Sequence, residues 1–313
     1  MGLPGLARIC VHFAAWRTDV MLPARSARAP GRSHPLGARV TCGMSESASG
    51  ARPAALVTGG AQRIGRAIAL ALARRGYAVA LQARQSRAAA DQLVGEIMAA
   101  GGRAATVVAD LADHAAVLGL VPTAAAAIGP LTLLVNNAAE FEPDEIGHLE
   151  RARFDRHVAV NLRAPIFLAD AFAAQLPAGP QGEQGARGAQ ESQGAIVNIL
   201  DQRVLKPTPR FLSYGLSKSA LYAATTTLAQ ALAPCIRVNA VAPGPTLPSA
   251  RQDAEAFARQ VQTLPLERGP TPQQIADAVL YLATATSVTG VTIAVDGGQH
   301  LPWRAVDSAE VQE

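Results

Sequence analysis

The sequence predicts an α/β fold, a single Rossmann-type doubly wound parallel sheet of about seven strands with helices on both faces. Three observations carry this. Short apolar runs rich in β-branched residues recur along the chain, and helix-length segments separate them. The first run, 54–58, opens directly into the turn T-G-G-A-Q-R-I-G (58–65) and then a helical pattern. Polar and glycine residues gather just after the carboxyl ends of the runs, where open α/β sheets bind ligands.

The 313 residues are 49% hydrophobic and 17% charged, ample for a sizeable core. The expected boundaries are an N-terminal extension at 1–50, the Rossmann domain at 51–303 and a tail at 304–313. Residues 1–43 carry Arg8, Arg17, Arg25, Arg28, Arg32 and Arg39 against the single acid Asp19, with Pro and Gly breaking any periodicity. Three readings of this segment stand: sequence upstream of a true start at Met44, a disordered extension, or an Arg-rich, acid-poor targeting peptide. Without it the chain is near neutral, so the basic balance argues for no nucleic-acid partner. No apolar run approaches the roughly 18 residues that span a bilayer, so no membrane partner is expected. Cys10 and Cys42 lie in the extension and leave Cys235 alone in the core, which suits a reducing, cytoplasmic compartment. The six His show no metal-ligand spacing, so no metal is expected.

Taken in order, 54–58 is the first strand, 66–75 a helix ended by Gly76, and 77–82 the second strand. Glycines in the first turn let the backbone approach a pyrophosphate, and the helix N-terminus offers N–H donors and a positive dipole end. An acid after the second strand would hold a ribose 2′-OH and repel a 2′-phosphate. None occurs from Arg66 to Ala90; Arg84, Ser86 and Arg87 stand there instead, and favour NADPH. A helix over 88–100 stops at Gly101-Gly102, and 103–109 is the third strand, ending at Asp110-Leu111. A helix over 113–128 leads to the fourth strand, 131–135, and to N-N-A-A at 136–139. Phe141 follows, placed to cover a flat substrate.

A long helix over 153–175 carries Asn161. Residues 177–194, rich in Gly and Gln with no apolar face, read as a mobile surface insertion before the fifth strand at 195–200. Asp201 ends that strand, and a helix opens near Ser213 as N-cap. Tyr214 and Lys218 are four residues apart and share a helix face. A fixed cation beside a phenol lowers the phenol from its usual value of about 10, so that it can pass a proton near neutral pH. The sixth strand, 236–242, ends in P-G-P-T (243–246); 247–262 is mixed and suits a lid; a helix at 272–284 and a strand at 290–295 close the chain.

The T-G-x-x-x-R-I-G turn, N-N-A-A, Asn161 in V-N-L, Y-G-L-S-K and P-G-P-T together resemble the short-chain dehydrogenase/reductase family over about Ala54 to Leu301. The resemblance implies catalytic roles for Asn161, Asp201, Tyr214 and Lys218. It implies cofactor contacts from Gly59, Arg63, Ile64, Gly65, Arg84, Ser86, Asp110, Leu111, Asn137, Ala138, Tyr214, Lys218, Pro243, Gly244 and Thr246. It also implies that Asn161 holds a water chain leading to the lysine. Common pairing of the 153–175 and 213–232 helices in the family, with apolar Val158, Leu162, Phe167, Leu168, Leu221, Tyr222, Leu228 and Leu232, implies a homotetramer.

Most family members carry Ser where this chain has Asp201. A carboxylate donates no hydrogen bond unless protonated, so it suits a substrate nitrogen better than a developing alkoxide. Asp201, Arg63 and Phe141 together are similar to the pteridine and dihydromonapterin reductases. That implies a substrate site of Arg63, Phe141, Asp201 and Tyr214, with hydride passing from NADPH to a small-molecule C=N or C=O bond. It also places Arg63 at the cofactor phosphates and the substrate rim. The alternatives are a general carbonyl or 3-oxoacyl-thioester reductase, and a catalytically silent NADP-binding scaffold or sensor.

Overall fold

The computed structural model describes residues 52–176, 193–249 and 251–301. The strands are β1 (Ala54–Thr58), β2 (Ala78–Ala83), β3 (Arg103–Val108), β4 (Leu133–Asn136), β5 (Gly194–Ile199), β6 (Ile236–Pro243) and β7 (Thr292–Val295). The helices are α1 (Arg63–Arg74), α2 (Arg87–Ala99), α3 (His114–Ile128), α4 (Arg151–Val158), α5 (Ala164–Ala174), α6 (Leu212–Leu232), α7 (Ala254–Gln262) and α8 (Pro272–Thr284). All strands join one sheet, in the order β3-β2-β1-β4-β5-β6-β7, and every neighbouring pair is parallel.

Every residue of β1, β2, β4, β5 and β6 is buried, as their unbroken apolar runs require of strands covered on both faces. The edge strand β3 exposes its ends, and β7 is only half-buried. One face packs Leu120, Leu168, Phe172 and Leu232 into a core; the other packs Ile68, Leu72, Leu93, Ile275 and Val279. Strand order reverses between β1 and β4, which opens a crevice beyond their carboxyl ends.

Beyond shifts of one or two residues at element ends, the structure departs from the expected elements in four places. First, α1 starts at Arg63, three residues early, with Arg63 itself at φ 51°. Second, the expected 153–175 helix is interrupted by a π-helical turn, Ala159–Arg163. Pro165 has no N–H to offer the carbonyl four residues back, that of Asn161, and its ring crowds that carbonyl; a widened turn relieves both. Third, the residue that opens α6 is Phe211, in the left-handed region at φ 59°, and it makes no side-chain cap. Ser213 lies inside the helix, and a remote carboxylate, Asp144, accepts its N–H at 3.1 Å. Fourth, the lid segment ends in a regular helix, α7, capped by Asp253 and with no buried residue.

Of the apolar residues expected on exposed helix faces, Leu168, Leu221 and Leu232 are buried within the chain and Phe167 and Tyr222 are exposed; Leu216, not among those expected, is exposed as well. The extension at 1–50, the tail at 304–313 and insertion residues 177–192 lie outside the described residues. No described helix is long and apolar enough to cross a membrane, and no His/Cys/Asp/Glu group among the described residues could hold a metal ion.

Candidate active site

Two adjoining clefts lie beyond the carboxyl ends of the strands. One, of about 680 Å³, is lined by Gly59, Gly65, Arg84, Ser86, Asp110, Leu111 and Ala138. The other, of about 940 Å³, is lined by Phe141, Asp201, Tyr214, Lys218, Pro243, Gly244 and Thr246. Arg63, Ile64 and Asn137 border both. Asn161 borders neither and is fully buried behind them.

The glycine turn is built for close approach. Gly59 has φ 61°, and a Cβ on Gly65 would stand 2.1 Å from the Gly59 carbonyl oxygen. Asn137 braces the turn, donating from Nδ2 to the carbonyls of Thr58 (2.9 Å) and Gly59 (3.1 Å). Gln82, not foreseen from sequence, accepts the Gly59 N–H at 2.8 Å and donates to the Ala109 carbonyl at 2.7 Å. No side chain caps α1, so its first turn offers N–H groups to an anion.

Two arginines expected at the cofactor also have partners within the chain. The Arg63 guanidinium donates to the carbonyls of Pro248 (3.0 Å) and Leu247 (3.2 Å), bridging to the segment after β6. Arg84 faces Glu140 at 3.7 Å and Asp110 at 4.0 Å, and Arg156 completes the cluster at 3.1 Å from Glu140. Burial raises the Glu140 carboxyl above its ordinary range, with Arg84 opposing.

Beyond β5, the Tyr214 hydroxyl donates to Asp201 Oδ2 at 2.9 Å. The same oxygen takes an Arg203 guanidinium N–H at 3.0 Å, and Asp201 Oδ1 takes the Arg203 backbone N–H at 2.8 Å. Lys218 is buried and donates from Nζ to the Ile199 carbonyl at 2.6 Å; it lies 6.0 Å from the Tyr214 ring centroid. The expected depression of the Tyr214 phenol is therefore reversed. Burial, then the Asp201 charge and hydrogen bond, push it well above 10, against a smaller opposing pull from Arg203. Burial lowers Lys218 to about 8, with Asp201 partly opposing.

Asn161 lies behind the site. Its side chain accepts the Glu140 N–H at 2.8 Å and donates to the Glu140 carbonyl (3.0 Å) and Ser217 Oγ (3.1 Å). The side chain thus holds the loop after β4 and Ser217 of α6.

Phe141 meets the Tyr214 ring edge-on, with centroids 4.7 Å apart, and stacks on Phe211 at 4.5 Å and 8°. The Arg203 and Arg251 guanidinium groups each lie within 6 Å of both phenyl rings. Arg251 also bonds Glu142 Oε2 at 2.9 Å and the Phe141 carbonyl at 2.8 Å. Sequence reasoning missed Phe211, Arg203 and Arg251. Only the D-x-R spacing of Asp201 and Arg203 offered a local signal.

A parallel sheet with this strand order, a glycine turn at the switch point and a Tyr/Lys pair at the end of β5 define a nucleotide-linked oxidoreductase fold. Residues 59–300 match the family described as enoyl-(acyl carrier protein) reductase. The chain belongs to the short-chain dehydrogenase/reductase family. Among solved structures it is similar to FolM alternative dihydrofolate reductase 1 from Brucella canis complexed with NADP, with 48% identity, 82% of this chain and 98% of that one covered, and a TM-score of 0.76. The Brucella suis counterpart in complex with NADP gives 49% identity over 82% and 98%, with a TM-score of 0.75. Among curated proteins, a 3-oxoacyl-(acyl-carrier-protein) reductase from Synechocystis sp. is 33% identical over 78% of this chain and 95% of that one.

Proposed function

We propose that this chain is an NADPH-dependent reductase of a dihydropteridine-type ring, acting on a C=N bond. The carrying observation is the Asp201 carboxylate bonded to the Tyr214 hydroxyl beside Phe141, where reduction of a plain ketone would call for a neutral hydroxyl donor. The names of the Brucella relatives support the same substrate class, and their NADP complexes support the cofactor.

The residues present fit that cofactor. The uncapped α1 N-terminus and the cradle of Gly59 and Gly65 would take the pyrophosphate, with Arg63 and Ile64 at its rim. Arg84 and Ser86 would take the 2′-phosphate, and Asp110 and Leu111 the adenine. Asn137 and Ala138 would line the channel, Tyr214 and Lys218 would hold the ribose, and Pro243, Gly244 and Thr246 would meet the nicotinamide. When bound, NADPH supplies the hydride.

The chain's own groups manage the proton. Tyr214, kept protonated by burial and by Asp201, is an acid that yields its proton to a ring nitrogen and not a standing phenolate. Asp201, ion-paired with Arg203, favours a substrate nitrogen as it gains positive character. Phe141 offers a ring face to a flat substrate, and Asn161 fixes the loop that carries it.

A second reading, a carbonyl or 3-oxoacyl-thioester reductase, is favoured by the name of the Synechocystis relative. The intact Tyr214, Lys218 and Asn161 set counts against a silent scaffold. Exposed Phe167, Leu216 and Tyr222 support a homotetramer, and the single core cysteine, Cys235, suits a cytoplasmic enzyme. The test is NADPH oxidation by purified protein against dihydrobiopterin, dihydrofolate, a 3-oxoacyl thioester and a ketone panel. Turnover of the dihydropteridines is expected; turnover confined to ketones or thioesters would overturn the reading.

A further inference from the structure

Behind the Phe141–Tyr214 contact lies a buried polar chain that the proposed chemistry does not use. Asp144, His157 and Ser213 come from three separate segments and are all buried. His157 Nε2 accepts the Glu142 N–H at 3.1 Å, and Nδ1 lies 2.6 Å from Ser213 Oγ. Ser213 Oγ donates in turn to Asp144 Oδ2. A serine hydroxyl has one proton, and the carboxylate takes it. The Nδ1 position must therefore carry the N–H that Ser213 Oγ accepts, and Nε2 must be bare for Glu142. Every donor in the chain then meets one acceptor only if His157 is neutral.

The same chain sets the orientation of the loop after β4. Residues 140, 142 and 144 are each held by buried partners: Glu140 by Asn161, Glu142 by His157, and Asp144 by Ser213. Phe141 and Pro143, with part of Asp144, line the cleft of about 940 Å³. Asp144 and Ser213 also join this loop to the first turn of α6, which carries Tyr214.

We propose that His157 is a positioning residue for the substrate wall: as the neutral Nδ1–H form it fixes the register of Phe141 against Tyr214, and its protonation in acid releases that register. A protonated ring would point an N–H at the Glu142 N–H, and one of the two must withdraw. The charged groups around it divide. Asp144 and Glu142 on the loop favour protonation, Arg153 on its own helix opposes it, and α6 presents Ser213 and the edge of Tyr214, 6.2 Å away between centroids. Burial outweighs them and holds the imidazole below its ordinary 6.5, so the neutral form prevails at neutral pH.

This inference rests on Tyr214 and Phe141 forming the substrate face. The test uses full-length protein with ¹⁵N-labelled histidine, followed by NMR against pH, together with kinetics of wild type, His157→Gln and His157→Asn. The His157 signals should report a protonated Nδ1 and a bare Nε2 at neutral pH, titrating below 6.5. Gln can keep the acceptor for Glu142, whereas Asn reaches only toward Ser213. His157→Asn should raise the substrate KM about tenfold, the scale of one buried hydrogen bond lost, with kcat and NADPH affinity little changed. His157→Gln should keep the wild-type KM and lose the acid limb of kcat/KM. An Nε2–H tautomer, an acid limb surviving in His157→Gln, or equal defects in both variants would overturn the proposal. If only a ketone were turned over, the pteridine reading would fall, yet the tautomer and the acid limb, read with that ketone, would still decide the role of His157.

Discussion

Asp201 Oδ2 receives the Tyr214 hydroxyl at 2.9 Å, so the general-acid candidate of the site rests on a carboxylate rather than on a neutral side chain. Asp201→Ser removes that charge and restores a hydroxyl. Dihydropteridine turnover should fall by about one to two orders of magnitude, a fair scale for a positioned acid–base group. Ketone reduction should stay level or rise, and Tyr214→Phe should abolish both. The comparison is made by steady-state kinetics on variants shown to bind NADPH normally. Unchanged dihydropteridine reduction in Asp201→Ser would remove Asp201 from the chemistry.

Lys218 gives the pH dependence. Its folded pKa, about 8, is below the ordinary 10.5, so the ammonium is charged at neutral pH and discharges as pH rises through about 8. The kcat/KM for NADPH reports the free enzyme and should decline above that pH. The sign for stability is opposite. Burying the charged lysine costs stability below pH 8, and that cost fades between about 8 and 10.5. Chemical denaturation at pH 7 and pH 9.5 should show this contribution moving in favour of the folded state, separable from other titrations by comparison with Lys218→Met.

Arg84→Asp should narrow the preference for NADPH over NADH, because an acid there repels a 2′-phosphate. The new carboxylate would also join Asp110 and Glu140, which now flank Arg84, so binding of NADPH should weaken more than tenfold. The measurement is the ratio of kcat/KM for the two cofactors. A ratio unmoved by the substitution would show that the discriminating group lies elsewhere.

Gly65→Ala places a methyl group 2.1 Å from the Gly59 carbonyl oxygen and 2.6 Å from Asn137 Nδ2. Neither partner is the free end of a flexible chain, so the turn must shift. A stability loss of about 1–3 kcal/mol is expected, with a larger proportional loss of cofactor affinity. Gly95→Ala, where a Cβ meets nothing within 4 Å, is the control and should be neutral or better in Tm and affinity.

The strands were legible because a parallel sheet buries both faces, and an unbroken run such as Ala54–Thr58 has few other uses. Tyr214 and Lys218 were legible because helical spacing alone puts them on one face. What could not be read was partnership across long separations. Ser213 looked like a helix cap from its neighbours, but the group that serves that helix is Asp144, 69 residues away. The phenol looked depressed because Lys218 was visible four residues on. The burial that dominates both groups is a property of the closed fold and leaves no local trace. The bonds of Arg63 to the Leu247 and Pro248 carbonyls likewise leave no trace in sequence, because that segment comes within reach only in the closed fold.

Strand β5 begins at the amino pole of the sheet, while Asp201 stands past the carboxyl end of the same strand. The six residues of β5 set these places roughly 20 Å apart. Positions 176 and 193, the described ends flanking this passage, are thus separated from the chemistry by a whole buried strand. This makes the junction a port for engineering: an affinity tag or a fluorescent reporter could be spliced in there, leaving both chain ends untouched, and turnover would serve as the readout that the graft is silent.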